Sequence, residues 1–142
     1  MSTALQDMVR ALATEHDWEV EQSADPSGCK VAIGESTVEL FRRGMSDIVF
    51  LLKITELPDN SFERSPLVDK LLQAALLKKN EFSGTLSLDE TAGAIVYSYI
   101  LSTAHLSENI LKSTFEWLLN EADYFKAQCL PQDTVSPFSY GR

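Results

Sequence analysis

The stretch that most constrains the fold is SPLVDKLLQAALLKKN, which runs from Ser65 to Asn80. Serine followed by proline is typical of a helix start, and lysines in a last turn complement the negative end of the helix dipole. At about 100° per residue, the apolar side chains of this predicted helix span roughly 200°, about twice the width of one core contact. Those side chains are Leu67, Val68, Leu71, Leu72, Ala74, Ala75 and Leu76. Because exposed leucines are unfavourable, we predict two contacts, one with the chain's own sheet and one with another surface.

Size and composition are those of an ordinary globular protein. The chain has 142 residues, and we predict one domain over residues 1–130 followed by a mobile or loosely docked tail over 131–142. The formal net charge of −9 disfavours binding to nucleic acid and to anionic membranes. The absence of a secretory signal pattern and of a long apolar run predicts a cytoplasmic protein with no membrane insertion. Cys29 and Cys129 are then expected to remain thiols.

The other periodicities predict two more helices and five strands. A capping-box pattern that begins at Thr3 starts a helix over residues 3–15, and Ser107 is a suitable N-cap for a long last helix. Three runs with strand character form a meander and two more form a hairpin. Those runs are 29–35, 37–43, 46–54, 83–90 and 94–102. The order α-β-β-β-α-β-β-α favours an α+β fold with a twisted, mostly antiparallel five-stranded sheet.

The third predicted strand is apolar on both faces, unlike the first two. Such a strand is either covered on both sides or flanked by a binding surface. One face carries Ile48, Phe50, Leu52 and Ile54, and the other carries Val49 and Leu51. Helices must cover one of these faces, and the second is an excess of apolar surface.

Few groups are arranged for catalysis. His16 and His105 each lack an obvious partner, and the carboxylates of Asp89 and Glu90 lie in a predicted turn. The motifs typical of phosphate, dinucleotide, zinc and acyl-transfer sites are missing from the sequence. We therefore predict no catalytic residue, no metal and no cofactor. A surplus of apolar surface favours a protein that binds other chains.

The run LLQAALLKKNEFSGTLSLDETAGAIVYSYILS, residues 71–102, resembles the class I type III secretion chaperones of the CesT-like (Tir chaperone) family. The pattern is a Leu-rich helix that closes on Lys or Asn, then Gly84, a T-L-x-L-D strand, Gly93 in a turn, and a strand that leads into the final helix. The loop Leu57 to Asn60 and the small acidic chain match as well. The resemblance covers residues 3–128 and offers no role for the tail.

The resemblance implies a homodimeric bacterial chaperone of the cytosol that binds the N-terminal region of a secreted effector without ATP. The effector segment would wrap around the dimer in extended form and stay competent for export. The family places the subunit interface at the central helix and the neighbouring last strands, where the apolar arc already required a second contact. The predicted interface residues are Leu67, Leu71, Ala74, Ala75, Leu76, Tyr97 and Tyr99.

The effector is expected in grooves formed by the first helix and the three-strand meander. The predicted effector-binding residues are Leu5, Leu12, Trp18, Val31, Ile33, Val38, Leu40, Phe41, Val49 and Leu51. Alternation leaves open which face of each strand is inward, so part of this set is expected in the core. Two other functions also stay open: an adaptor or regulatory binding module of the same fold outside secretion, and a small enzyme with an unrecognised site.

Overall fold

Three helices and a six-stranded sheet make up the chain in a computed structural model that describes residues 4–77 and 84–130. Their bounds are α1 (Ala4–His16), β1 (Glu19–Gln22), β2 (Cys29–Ile33), β3 (Ser36–Arg43), β4 (Asp47–Glu56), α2 (Ser61–Leu77), β5 (Thr85–Asp89), β6 (Ala94–Ser102) and α3 (Glu108–Gln128). Every strand pairing is antiparallel, in the order β1-β2-β3-β4-β6-β5. The predicted α+β class with an antiparallel sheet is therefore confirmed.

The sheet has six strands, so the prediction of five was wrong. The additional strand is β1, which pairs with β2 from Glu19 opposite Ala32 to Gln22 opposite Cys29. Its four residues, EVEQ, include one apolar side chain. A strand this short shows no alternation of its own, and it forms because β2 offers it a partner.

Helix α2 begins at Ser61, four residues before the predicted start. The side chain of Asn60 accepts a hydrogen bond from the Phe62 amide at 2.7 Å, and its carbonyl accepts from the Arg64 amide at 2.9 Å. Asn60 therefore satisfies the free amides of the first turn, and Pro66 lies inside the helix instead of at its start. The predicted helix end near Asn80 and the tail 131–142 lie outside the described residues.

All three helices pack on one face of the sheet, here called the inner face. Phe115 of α3 lies edge-on to Phe50 of β4, with ring centroids 5.8 Å apart, and Phe125 lies 5.3 Å from Tyr97 of β6. Helices α1 and α2 contribute further buried side chains to the same cluster, among them Leu5, Val9, Leu71 and Ala74. The core is thus one layer of helices against one face of the sheet, and the opposite, outer face carries no helix of the described residues.

The loop between β1 and β2 is held by a dense set of hydrogen bonds. The buried side chain of Gln6 in α1 donates to the Gly28 carbonyl at 3.1 Å, and Gln22 donates to the same oxygen at 3.3 Å. Within the loop, the hydroxyl and amide of Ser27 donate to Asp25 Oδ1, and these bonds lower the pKa of the Asp25 carboxyl. These contacts position the short strand β1 against α1.

Gly84 directly precedes β5 and lies against the ring of Tyr97. Its amide donates to the Tyr97 hydroxyl at 3.0 Å, and that hydroxyl donates to the carboxylate of Glu121 in α3. A Cβ atom added at Gly84 would stand 2.4 Å from Tyr97 Cζ and 2.8 Å from the Ser98 carbonyl oxygen. Glycine is required here because β5, β6 and α3 meet without space for a side chain.

We expect Gly84→Ala to lower the free energy of unfolding by about 2 kcal/mol, a cost typical of overpacking. Urea denaturation measures this change in the free energy of unfolding. Ser87→Ala, at an exposed position of the same strand, is the control and should change stability by less than about 0.5 kcal/mol. A Gly84→Ala variant as stable as this control would contradict the close packing.

Candidate functional site

Two apolar surfaces of the described residues lie outside the main core cluster. The first, the helix surface, is formed by Leu72, Leu76 and Leu77 of α2 with Leu88 of β5, whose exposed fractions are 56%, 65%, 79% and 47%. The second, the sheet surface, lies on the outer face of the sheet. It is formed by Ile100, which is 44% exposed, by the half-buried Phe41 and Leu51, and by Val49, which is 8% exposed. Single exposed leucines are normal, but contiguous apolar patches mark interaction sites.

The helix surface exists because the wide apolar arc of α2 is divided between two sides. Leu71 and Ala74 are buried against the chain's own core, whereas Leu72 and Leu76 are mostly exposed. Beneath α2, a cleft of about 190 Å³ separates the helix from the inner side of β5. Its apolar lining is Val68, Leu71, Leu72, Leu86, Leu88 and Ile95.

Strand β5 adds an open edge beside the helix surface. It pairs with β6 alone, so its other side has no strand partner in the described residues. An edge strand exposes a row of unpaired amides and carbonyls, and proteins normally cover or charge such an edge. The helix surface thus joins exposed leucines, an apolar cleft and an open strand edge.

The sheet surface is built by register across three strands. Phe41 lies opposite Val49, and Val49 lies opposite Ile100 on the next strand. Directly opposite side chains have Cβ atoms about 4.5–5.5 Å apart, so the three form a continuous row, with Leu51 on the same face two residues further along β4. An ion pair between Arg43 and Asp47, with N–O distance 3.0 Å, borders one end.

The structure divides the predicted effector-binding residues into three groups. Phe41, Val49 and Leu51 come together on the sheet surface. Trp18 and Ile33 are half-buried at the margin of the core, and Trp18 stacks on His16 with centroids 5.0 Å apart. The other five are buried in the core, because their side chains face the helical layer or lie within it: Leu5, Leu12, Val31, Val38 and Leu40. Their assignment to a surface groove is corrected.

The predicted interface residues divide in a similar way. Leu76 is exposed, and Leu67, Ala75 and Tyr99 are half-buried against the core. Leu71, Ala74 and Tyr97 are buried within the protomer, so they stabilise its own core and offer little surface to a partner. The exposed residues of the helix surface and the sheet surface that are absent from the predicted set are Leu72, Leu77, Leu88 and Ile100. Leu72 was already part of the predicted apolar arc. Leu77 lies in the same Leu-rich run, which was the sequence signal for its exposure.

The two cysteines do not have the properties of catalytic thiols. Burial raises the pKa of the Cys29 thiol to about 11, and burial also raises the pKa of Cys129. Burial, and then the carboxylate of Glu121, raise the pKa of Tyr97. Catalytic thiols normally have a lowered pKa, so both cysteines are protonated and weak nucleophiles at neutral pH.

Neither a metal site nor a membrane span appears in the described ranges. Over residues 4–77 and 84–130, no three His, Cys, Asp or Glu side chains are grouped so as to hold a metal ion. Within the same residues, no helix has the length and apolar character needed to cross a bilayer.

Comparison with known proteins gives a family match and several similar folds. Residues 9–126 match the model of the Tir chaperone protein (CesT) family. A chain in the crystal structure of the ExsC–ExsE complex is similar with a TM-score of 0.66 and 15% identity, over 94% of this chain and 99% of that one. A chain in the HopA1–SchA chaperone–effector complex gives 0.60 and 16%, over 87% and 93%.

A third similar structure contains the Yersinia pestis type III secretion chaperone SycH in complex with a stable fragment of YscM2. It gives a TM-score of 0.56 and 21% identity, over 84% of this chain and 97% of that one. At these identities the likeness establishes the fold. No curated protein matches the chain.

The two faces of β4 are expected to differ sharply when a leucine is truncated. Leu52 points into the core and is 1% exposed, whereas its neighbour Leu51 lies on the sheet surface. Leu52→Ala should cost about 2–5 kcal/mol in unfolding free energy, and Leu51→Ala less than about 1 kcal/mol. Parallel urea denaturation of the two variants measures this difference. Equal losses would mean that the outer face is also covered.

Proposed function

The chain belongs to the Tir chaperone protein (CesT) family, and we propose on that premise that it is a cytosolic chaperone for a type III secretion effector. The match over residues 9–126 is the observation that carries the proposal. The similar folds of chains in chaperone–effector complexes agree with it. The chaperone would bind the N-terminal chaperone-binding region of the effector and keep it soluble and competent for secretion.

The effector segment would be held in extended form by apolar contacts, with no use of ATP and no catalysis. Ordering an unfolded segment costs conformational entropy, so useful affinity requires a large apolar contact. The sheet surface offers such a contact, because Phe41, Val49 and Ile100 form a continuous row that no described helix covers. Apolar effector side chains that pack on this row would leave water and stabilise the complex.

The helix surface would join two copies of the chain about a two-fold axis. A two-fold contact buries the same patch on both subunits, and α2 offers a patch that its own core leaves open. Leu72, Leu76 and Leu88 would then leave solvent together with the open edge of β5. Covering this edge would also remove a site at which sheets aggregate.

We expect the wild-type chain to sediment as a dimer at micromolar concentration, and the double variant Leu72→Glu/Leu76→Glu to sediment as a folded monomer. Both side chains are exposed in the protomer, so the charges should disturb the contact and not the core. Ile110→Glu, at an exposed apolar position of α3, is the control that should stay dimeric. A monomeric wild type, or a double variant that remains dimeric, would contradict the assignment.

Co-expression with a candidate secreted protein, followed by co-purification, tests the effector contact. Leu51→Asp should weaken capture of its N-terminal region at least tenfold, since a charge would interrupt the sheet surface. The thermal melt should be unchanged, because Leu51 lies outside the core. Thr37→Asp, at an exposed outer-face position of β3, is the matched control. A captured protein that is not exported would instead indicate an adaptor or regulatory module.

A further inference from the structure

A polar cavity of about 450 Å³, here called the basic cavity, opens where β3 begins and where β4 and α3 end. The turn before β3, the last part of β4 and the C-terminal end of α3 form its walls. The lining residues are Glu35, Ser36, Thr37, Lys53, Ile54 and Lys126. This lining is polar and charged, in contrast to the apolar cleft beneath α2.

Lys126 is the central group of the basic cavity. Its side chain is half-buried, and its ammonium group donates to the Ser36 hydroxyl at 2.7 Å. Within residues 4–77 and 84–130, no carboxylate lies within salt-bridge distance of this ammonium. Because an ammonium can donate several hydrogen bonds, the neutral bond to Ser36 leaves Lys126 able to bind an anion. The attraction is stronger at a half-buried position than in open solvent.

Two hydroxyls and a second ammonium complete the donors of the basic cavity. The Ser36 hydroxyl accepts from Lys126, so its own proton can still be donated into the cavity. Thr37, the next residue of β3, is exposed and adds its hydroxyl to the wall. Lys53 is loosely paired, with its Nζ 3.7 Å from the exposed carboxylate of Glu56. Hydrogen bonds between charged donors and an anion are stronger than neutral ones.

The charge of the lining decides which kind of anion fits. Lys53 and Lys126 are positive, and Glu35 places one negative charge on the same wall. The excess is a single positive charge, which one carboxylate neutralises. A phosphate group carries about −1.5 to −2 at neutral pH and would leave negative charge in excess beside Glu35. The lining therefore favours a carboxylate.

The basic cavity lies at one end of the sheet surface. Leu51 belongs to that surface, and Lys53 follows on the same face of β4, about 7 Å further along the strand. Thr37 occupies an outer position at the start of β3. The ion pair of Arg43 with Asp47 borders the opposite end of the surface. A segment that extends along the sheet surface therefore reaches the basic cavity about two residues beyond Leu51.

We infer that the basic cavity binds a carboxylate side chain of the segment that packs on the sheet surface. Lys126 and Lys53 neutralise the carboxylate, and the hydroxyls of Ser36 and Thr37 orient it. Because the sheet surface is apolar, this contact decides which end of the segment lies at which end of the sheet. The inference rests on the proposed function, and it requires an aspartate or glutamate beside the apolar residues of the effector segment.

Acetate is a probe of the site that needs no peptide. When acetate replaces chloride at constant ionic strength, the backbone amide resonances of Ser36, Thr37 and Lys126 should shift and then saturate. Lys126→Gln should weaken acetate binding about fivefold, because it removes a charged donor. Lys53→Gln, at an exposed position that cannot disturb the core, should weaken it by a smaller factor. Lys112→Gln, at another half-buried lysine of α3, is the matched control and should leave it unchanged.

Inorganic phosphate tests the choice of anion. It should bind the wild-type chain more weakly than acetate does. Glu35→Gln removes the negative charge from the wall, so it should strengthen the binding of both anions and of phosphate the more. Phosphate binding tighter than acetate binding in the wild type would overturn the assignment of a carboxylate.

The same variants test the occupant of the basic cavity. Lys126→Gln should weaken capture of a secreted protein's N-terminal region about fivefold at low salt, and the loss should shrink at high salt. Its thermal melt should match that of Lys112→Gln, because glutamine can still donate to Ser36. If Lys126 served only to tie α3 to β3, acetate would not bind. Absence of a saturable acetate shift in the wild type, or an equal shift in Lys126→Gln, would overturn the inference.

The outcomes separate this inference from the proposed function. Capture of a secreted protein that depends on Leu51 but not on Lys126 would refute the role of the basic cavity and leave the chaperone assignment intact. Saturable acetate binding that depends on Lys126, with no secreted protein captured, would support the carboxylate site and contradict the chaperone assignment.

Discussion

The structure depends on packing all three helices against a single face of the sheet. The contacts of Phe50 with Phe115 and of Tyr97 with Phe125 hold α3 on the inner face, and α1 and α2 fill the space on either side. A sheet covered on one face normally carries polar residues on the other. Here β4 is apolar on both faces, so the one-sided layer of helices leaves Val49 and Leu51 on a face that no described helix covers, although Val49 is only 8% exposed. The same arrangement leaves the far side of α2 uncovered by the described residues.

The sequence determines most of the elements because their local signals agree with the final fold. Ser107 accepts a hydrogen bond from the Ile110 amide, as the predicted N-cap of the last helix requires. Two elements show where local signals are insufficient. Strand β1 has one apolar residue in four and exists through pairing with β2. Helix α2 begins at Ser61, since the Asn60 cap extends it past the Ser65–Pro66 signal.

The candidate site was harder to predict than the fold, for a reason that lies in strand geometry. Alternation separates Leu40 from Phe41 and Leu52 from Leu51, but it does not say which set is inward. Register with neighbouring strands and the position of the helices decide that question. The wide arc of α2 correctly indicated surplus apolar surface, yet Leu71 belongs to the core and Leu72 to the surface. One residue, about 100° of rotation, separates the two roles.

The two open edges stand at opposite ends of one sheet. With six strands, five spacings of about 4.8 Å separate β1 from β5, which is about 24 Å. Additions at the two ends would therefore not collide, and neither would need the sheet to change its internal register. Each protomer therefore has two strand edges of different character. The β1 edge carries the acidic residues Glu19 and Glu21, and the β5 edge lies beside the exposed leucines of α2. A substitution at one of these edges can therefore leave binding at the other edge unchanged.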